Sequence, residues 1–344
     1  MRKTSLLLAS AFLSSVLCIQ SSAIAAPKLN TPTPEAALVE NAVPSKLAQK
    51  NLLIAVAKAN GGLVAVGQWG HILLSGDGGA TWRQAKTVPT RLLLTALYFA
   101  DDKNGWAVGH DMVILHTADG GETWDMQYSE PPAEAPLLTV WFENAEHGIA
   151  TGAFSTMLET FDSGKTWTKR PMYAVTPDEI DQPHFNHFFT GPGGKSQLIL
   201  AAEAGHVYRS LDSGRTWADI PVPYEGSIWG GMTTKQGRIL ALGMRGNLFI
   251  SDDLGDNWRL VSTGTDQSLT SGTQLSNGDI VVVGLGGVVL VSKDNAETFS
   301  VAIRPTRSGQ SGVAELGTAG DKVLIFGEAG IEEYALNPAT AAAQ

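Results

Sequence analysis

The octet Ser75-Gly76-Asp77-Gly78-Gly79-Ala80-Thr81-Trp82 decides the fold, because the chain repeats it. It returns as Thr117-Ala118-Asp119-Gly120-Gly121-Glu122-Thr123-Trp124, as Thr160-Phe161-Asp162-Ser163-Gly164-Lys165-Thr166-Trp167 and as Ser210-Leu211-Asp212-Ser213-Gly214-Arg215-Thr216-Trp217. Two worn copies follow, Ser251-Asp252-Asp253-Leu254-Gly255-Asp256-Asn257-Trp258 and Ser292-Lys293-Asp294-Asn295-Ala296-Glu297-Thr298-Phe299. Successive aspartates stand 42, 43, 50, 41 and 41 residues apart. A self-similar period of this length is the mark of a repeat architecture. The shared pattern, S/T-x-D-x-G-x-T-W, is an Asp-box. Its Asp and Ser/Thr side chains accept hydrogen bonds from turn amides, its Gly takes a positive φ, and its Trp anchors the strand that follows. Asp77, Asp119, Asp162, Asp212, Asp253 and Asp294 are therefore read as structural.

A second marker precedes each box: a β-rich run, a Gly-x-x-Gly turn or a variant of it, and another apolar strand. Its copies begin at Gly67, Gly109, Gly152, Ala202, Gly243, Gly284 and Gly327, so there are seven units against six boxes. Each unit holds about four short strands, the content of one propeller blade. In the first unit these are read at residues 52–58, 63–66, 71–75 and 81–86, and the run Gly62-Leu63-Val64-Ala65-Val66-Gly67 is read as a half-buried strand. The expected fold is all-β, a seven-bladed propeller of four-stranded blades with Asp-box hairpins, spanning residues 45–336. The seventh unit supplies three strands. An exposed edge there is a liability, so part of Ala36–Val43 is expected to close the ring as its fourth strand.

The ends read differently. Arg2 and Lys3, the apolar stretch Ser5–Leu17 and the small-x-small run Ala23-Ile24-Ala25 form a secretion signal of residues 1–25. The mature chain is expected to start at Ala26, with residues 26–44 as an N-terminal segment and 337–344 as a tail. The only cysteine, Cys18, falls inside the signal, and Leu17 before it does not suit a lipoprotein cleavage site. The mature protein then carries no disulfide, thiolate metal site or cysteine nucleophile. Export to a periplasm, or to a thylakoid lumen in a photosynthetic source, is the expected localisation. With 24 Lys+Arg against 34 Asp+Glu the formal charge is −10, which argues against nucleic acid as a partner. No long apolar stretch follows the signal, so no membrane span is expected.

In a propeller, the turns between second and third strands share one face with the connections between blades, and the Asp-box hairpins lie on the other. Candidate contacts therefore lie in the first set: Gln68, Trp69, His110, Asp111, Phe154, Glu203, Met244, Arg245 and Glu328. They are chemically mixed, which suits irregular protein recognition; they are equally readable as solvated loop residues. A sharper set is Pro44-Ser45-Lys46, Pro89-Thr90-Arg91 and Pro305-Thr306-Arg307, with Arg304 alongside. Blades seven, one and two are neighbours in a closed ring. Lys46, Arg91, Arg304 and Arg307 then form one basic patch suited to carboxylate partners, unless each pairs with a local acid. The longest interval, the third, carries His184 and His187 near Asp178, Glu179 and Asp181. Two His three apart at a strand entry point to opposite faces, so an inserted loop is favoured over a metal site. No metal or cofactor is expected.

The unit Leu97-Tyr98-Phe99-Ala100-Asp101-Asp102-Lys103-Asn104-Gly105-Trp106-Ala107-Val108-Gly109, followed by Ile114 to Trp124, resembles the photosystem II stability/assembly factor family. The likeness extends over residues 45–336. It implies a non-catalytic propeller that binds an immature membrane protein through a basic arginine patch, to which Arg91 and Arg307 correspond best. A signal without a lipoprotein cysteine, a worn sixth box and a missing seventh depart from the pattern. They look more like a relative in a non-photosynthetic Gram-negative bacterium, with another envelope complex as partner. The alternative class is a glycan-active or glycan-binding Asp-box propeller. For a sialidase, Arg91, Arg245, Arg304 and Arg307 could mimic the carboxylate-binding cluster. That family's Phe-Arg-Ile-Pro motif is absent, Tyr98, Tyr208 and Tyr334 sit in predicted strands, and Tyr173 and Tyr224 lie in or near loops.

Overall fold

Seven antiparallel sheets follow one another along the chain, six of four strands and one of three, each a simple meander. The structure is a computed structural model that describes residues 40–59, 61–172 and 182–336. The innermost strands are Leu53–Ala59, Leu94–Phe99, Leu137–Phe142, Phe185–Gly191, Ile228–Thr233, Leu269–Gln274 and Gln310–Glu315. In blade one the remaining strands are Gly62–Gly67, Ile72–Ser75 and Arg83–Gln84, the last shorter than expected.

Side chains on alternate faces of each sheet pack against the two neighbouring blades. Leu63 and Ala65 join a cluster with Leu324 and Phe326 of blade seven. Val64 and Val66 join one with Leu94, Ala107 and Leu115 of blade two. The expectation that this strand is half-buried is thus corrected: Leu63, Val64, Ala65 and Val66 are all at 5% exposure or less. A blade is covered on both faces, so its second strand reads as a continuous apolar run. Five further clusters fill the seams from blade two round to blade seven. Together they give one core per seam and seven seams.

The ring closes by side-chain packing between its first and last blades. Trp82 meets Phe326 edge to face at 5.8 Å. Ser311 Oγ donates to the Leu53 carbonyl at 2.6 Å. Equivalent bonds tie Thr95 to Leu137, Asn186 to Ile228 and Thr270 to Gln310 across other seams. The described part of the N-terminal segment does not extend blade seven. Its residues 40–45 run along the outer edge of blade one, where the Ala42 amide donates to Val88 O and Gln84 Nε2 donates to Val43 O. Residues 36–39 of the expected closing strand lie outside the described residues.

The Asp-boxes are held as their chemistry requires. Thr117 Oγ1 donates to Asp119 and accepts from the Gly121 amide, while Asp119 accepts from both the amide and hydroxyl of Thr123. The worn copies keep this network. Asn257 Nδ2 stands in for the Thr hydroxyl in blade five, and Ala296 takes the glycine's place at φ 66 in blade six. Hydrogen bonds from the side chain and then the amide four residues on hold Asp77, Asp253 and Asp294 down to about 2. These acids are occupied within their own hairpins.

Candidate partner-binding face

The face opposite the Asp-boxes is built from one turn repeated. In blade one the His71 amide donates to Gln68 O, and the two residues between, Trp69 and Gly70, have φ of 61° and 67°. That is a type I′ turn. In blade one the second central position needs glycine for a further reason: a Cβ on Gly70 would lie 2.1 Å from Thr90 O of the next connection. The first central position points outward and carries Trp69, Asp111, Phe154, Ala204 and Arg245 in blades one to five, all at φ between 54° and 61°. A bulky residue in the left-handed region is strained, of order 1 kcal/mol or more. Trp69 and Phe154 are nonetheless each 56% exposed. More than half of each residue is thus left in solvent.

Each turn packs on the connection entering the next blade, and this sets the true register of the rim. Gly70 lies against Thr90–Arg91, Gly287 against Arg307 and Gly330 against Gln49–Lys50. Gly205 lies against Tyr224 and Gly246 against Thr265. The Gly70 amide donates to Leu92 O, and in the same way Met112 donates to Ala135 O and Ser155 to Pro183 O. One equivalent position therefore reads, around the ring, Lys50, Arg91, Glu134, Gln182, Glu225, Asp266 and Arg307. Each stands three residues before its inner strand, and all are exposed. Three adjacent connections carry cations, and the far side carries acids. The face is electrically two-sided, and its basic arc spans blades seven, one and two.

The residues singled out from sequence divide into displayed and occupied. Arg307 is exposed, at φ 52°, and has no side-chain partner among the described residues. Lys46 is exposed on the same segment as Lys50, but Lys50 holds the position equivalent to Arg91 and Arg307. Aligning on Pro-x-Lys/Arg missed it. Arg91 is exposed and pairs with Glu40 at 3.0 Å, while its Nε donates to Asn41 O. Arg304 lies 8% exposed and pairs with Glu332 at 2.8 Å. It belongs to the seam between blades six and seven, not to a surface patch. Glu203 accepts from the His184 amide and Glu328 from the Gly309 amide, each bracing a connection. Trp69, His110, Phe154 and Arg245 remain on display, and Asp111 is partly covered.

The two histidines of the longest interval separate. His184 sits at the rim, 3.6 Å from Glu203 and edge-on to Phe154. His187 lines the central channel, a cavity of about 590 Å³, where burial pushes its pKa down to about 4. Asp178, Glu179, Asp181 and Tyr173 lie outside the described residues. Among those described, no group of three His, Cys, Asp or Glu side chains is placed to hold a metal. Tyr98, Tyr208 and Tyr334 are in strands as expected, and Tyr224 donates to Met244 O at 3.4 Å. Arg245 belongs to the turn of blade five and Arg304 is spent on Glu332, so the cluster a sialidase would use is not assembled from these residues. No helix among the described residues is long and apolar enough to cross a membrane.

Fold and face together define a seven-bladed Asp-box propeller with one turn-built, charge-divided face. The family model described as photosynthesis system II assembly factor YCF48 matches residues 34–130 and 87–331, and the chain belongs to that family. Among solved structures it is similar to YCF48 bound to a D1 peptide: TM-score 0.65, 18% identity, 87% of this chain and 96% of that one covered. It is similar to YCF48 from Cyanidioschyzon merolae with TM-score 0.64 and 15% identity over 82% and 94% of the two chains. The GH74 enzyme of Niastella koreensis shares the fold at TM-score 0.63 and 13% identity, over 85% of this chain and 53% of that one. No curated protein matches the sequence significantly.

Proposed function

We propose that this protein is a non-catalytic, exported propeller that binds a partner protein on its turn face and assists the assembly or stability of a membrane complex. The observation that carries this reading is the equivalent rim position, where Arg307, Lys50 and Arg91 follow one another on three adjacent connections. Two guanidinium groups and an ammonium displayed on a rigid ring suit acidic segments of a partner. The exposed, strained Trp69 and Phe154 add apolar anchors of the kind that dominate protein interfaces. Family membership supports the same role, as does the peptide-bound state of a relative. The periplasm, or a lumen, is the compartment that the leader sequence favours, and an envelope membrane complex is the favoured partner.

The test is charge reversal at the arc. Lys50→Glu with Arg91→Glu is expected to slow association with an acidic partner segment at low salt by at least tenfold, while Glu225→Lys on the opposite side does not. A photo-crosslinker at position 69 is expected to capture a membrane protein. Unchanged binding in the double variant would remove the proposal. Hydrolysis of a fluorogenic sialoside panel by the wild-type protein would move the assignment to the glycan-active class.

A further inference from the structure

The outer strand of blade six, Ser300–Ile303, differs from the outer strands of the other blades. Those of blades one to five each carry a charge: Arg83, Asp125, Lys169, Asp219 and Arg259. The last strand of blade seven carries Glu332 and Glu333. Such charges blunt a sheet edge against pairing with another chain. Ser300-Val301-Ala302-Ile303 has none, is the terminal strand of its sheet, and is exposed at every residue. Val301 and Ile303 pair with Leu290 and Val288. They therefore share the sheet face that packs on blade five, and they are 43% and 40% exposed. Beside them the connection from blade five narrows to Gly264, which leaves a groove of about 390 Å³ lined by Val301, Ile303, Thr265, Gln267, Asp266 and Arg307. Asp266 already accepts from Gln267 Nε2 at 2.8 Å. Arg307, just past the end of the strand, has no side-chain partner among the described residues.

We infer that this edge is a strand-docking site: an extended, apolar segment of the partner adds to Ser300–Ile303 as a fifth strand. Its alternate side chains fill the groove, and one acidic side chain of the segment meets Arg307. This rests on the partner-binding reading and names the chemistry of one contact. Main-chain pairing would supply affinity and the groove selectivity, as in other β-augmentation complexes. An acidic side chain is favoured over a chain terminus because the strand is exposed along its whole length, so a segment can run on past Arg307. The half-exposed apolar pair of the uncharged edge and Arg307 line the same groove.

The probe is an acetylated, amidated octapeptide of alternating Val and Thr with one Glu, placed at either end to allow both strand directions. Binding to the full chain is followed by amide hydrogen exchange. One of the two peptides is expected to slow exchange at residues 300–303. Changing its Glu to Gln, or Arg307→Glu in the protein, weakens it about tenfold, as loss of a charged hydrogen bond does. Val301→Lys, an exposed substitution that leaves thermal stability unchanged, weakens it tenfold or more, while Arg91→Glu has no effect. Binding that survives Val301→Lys, or no slowing with either peptide, overturns the inference. So does concentration-dependent dimerisation that protects residues 300–303 without peptide, since the occupant is then a second copy. Loss of partner binding in Lys50→Glu/Arg91→Glu alongside an unaffected Val301→Lys keeps the face and removes the groove. The reverse pattern keeps the groove and removes the basic arc.

Discussion

Replacing a buried polar residue with leucine ordinarily breaks a hydrogen bond, yet Gln310→Leu is expected to stabilise this protein. The first inner-strand residue facing the preceding blade is Leu53, Leu94, Leu137, Phe185, Ile228 and Leu269 in six blades, each at 1% exposure or less. In blade seven it is Gln310, also at 1%. Both its Oε1 and its Nε2 are buried without a hydrogen-bond partner among the described residues. Each such atom costs about 1–3 kcal/mol. Leucine removes both and adds about one methylene of apolar burial, about 0.8 kcal/mol. Branching at Cγ, where glutamine is straight, returns about 1 kcal/mol as strain. The net gain is about 2–6 kcal/mol, or a Tm about 3–10 °C higher for a ring of this size. Differential scanning calorimetry and guanidinium unfolding measure it. Leu94→Gln, the converse change in the seam of blades one and two, should lose about 2–5 kcal/mol. A neutral or destabilised Gln310→Leu would refute the reasoning, because it would mean that the amide has polar partners in the folded ring.

Three further outcomes follow from the same contacts. Arg304→Ala should cost about 3 kcal/mol, because it strands Glu332 in the seam; the double change Arg304→Met with Glu332→Leu should be neutral or stabilising, as read by chemical unfolding, since Val88 and Val222 are buried at comparable points of other seams. Asp119→Ala removes the acceptor for the Thr117 and Thr123 hydroxyls and the Thr123 amide, and should lower stability by about 1–2 kcal/mol, with faster amide exchange confined to the hairpin of blade two. Asp77, Asp253 and Asp294 are held at about 2 in the fold, against an ordinary value of 3.8. Their contribution is therefore complete above about pH 4 and lost as the pH falls from 4 through 2. Tm measured across that interval should drop, and less steeply in an Asp77→Asn variant.

Much of the fold could be read from the sequence because the repeat is enforced locally. An Asp-box needs only its own eight residues to close its hydrogen bonds, so the pattern survives wherever the hairpin does. Even the worn copies keep it, through Asn257 and Ala296. The half-buried reading of Gly62–Gly67 fails for a physical reason. Val64 and Val66 face one neighbouring blade while Leu63 and Ala65 face the other, and no solvent side is left to imprint an alternation. The closure of the ring was harder still. Trp82, Phe326, Ser311 and Leu53 meet only after the chain has gone full circle, so no local pattern announces them.

The face was legible in its location and blurred in its register. Pro44, Pro89 and Pro305 made Lys46 look equivalent to Arg91 and Arg307, because proline marks a bend without stating how far the strand lies beyond it. The inner strand is the better ruler. Its first residue is clamped in a seam by core packing, and a fixed three-residue approach brings Lys50, Arg91 and Arg307 to the same height on the rim. Arg304 shows the limit of counting cations: one turn earlier on the same connection, the same side chain points into the seam and is neutralised by Glu332. Whether a charge serves the ring or a partner is thus decided by its phase relative to the inner strand. That phase separates Arg307, whose side chain has no partner among the described residues, from Arg304, which pairs with Glu332. A partner that needs the basic arc must therefore lose affinity on reversal of Arg307 while the ring keeps its stability, and the opposite holds for Arg304.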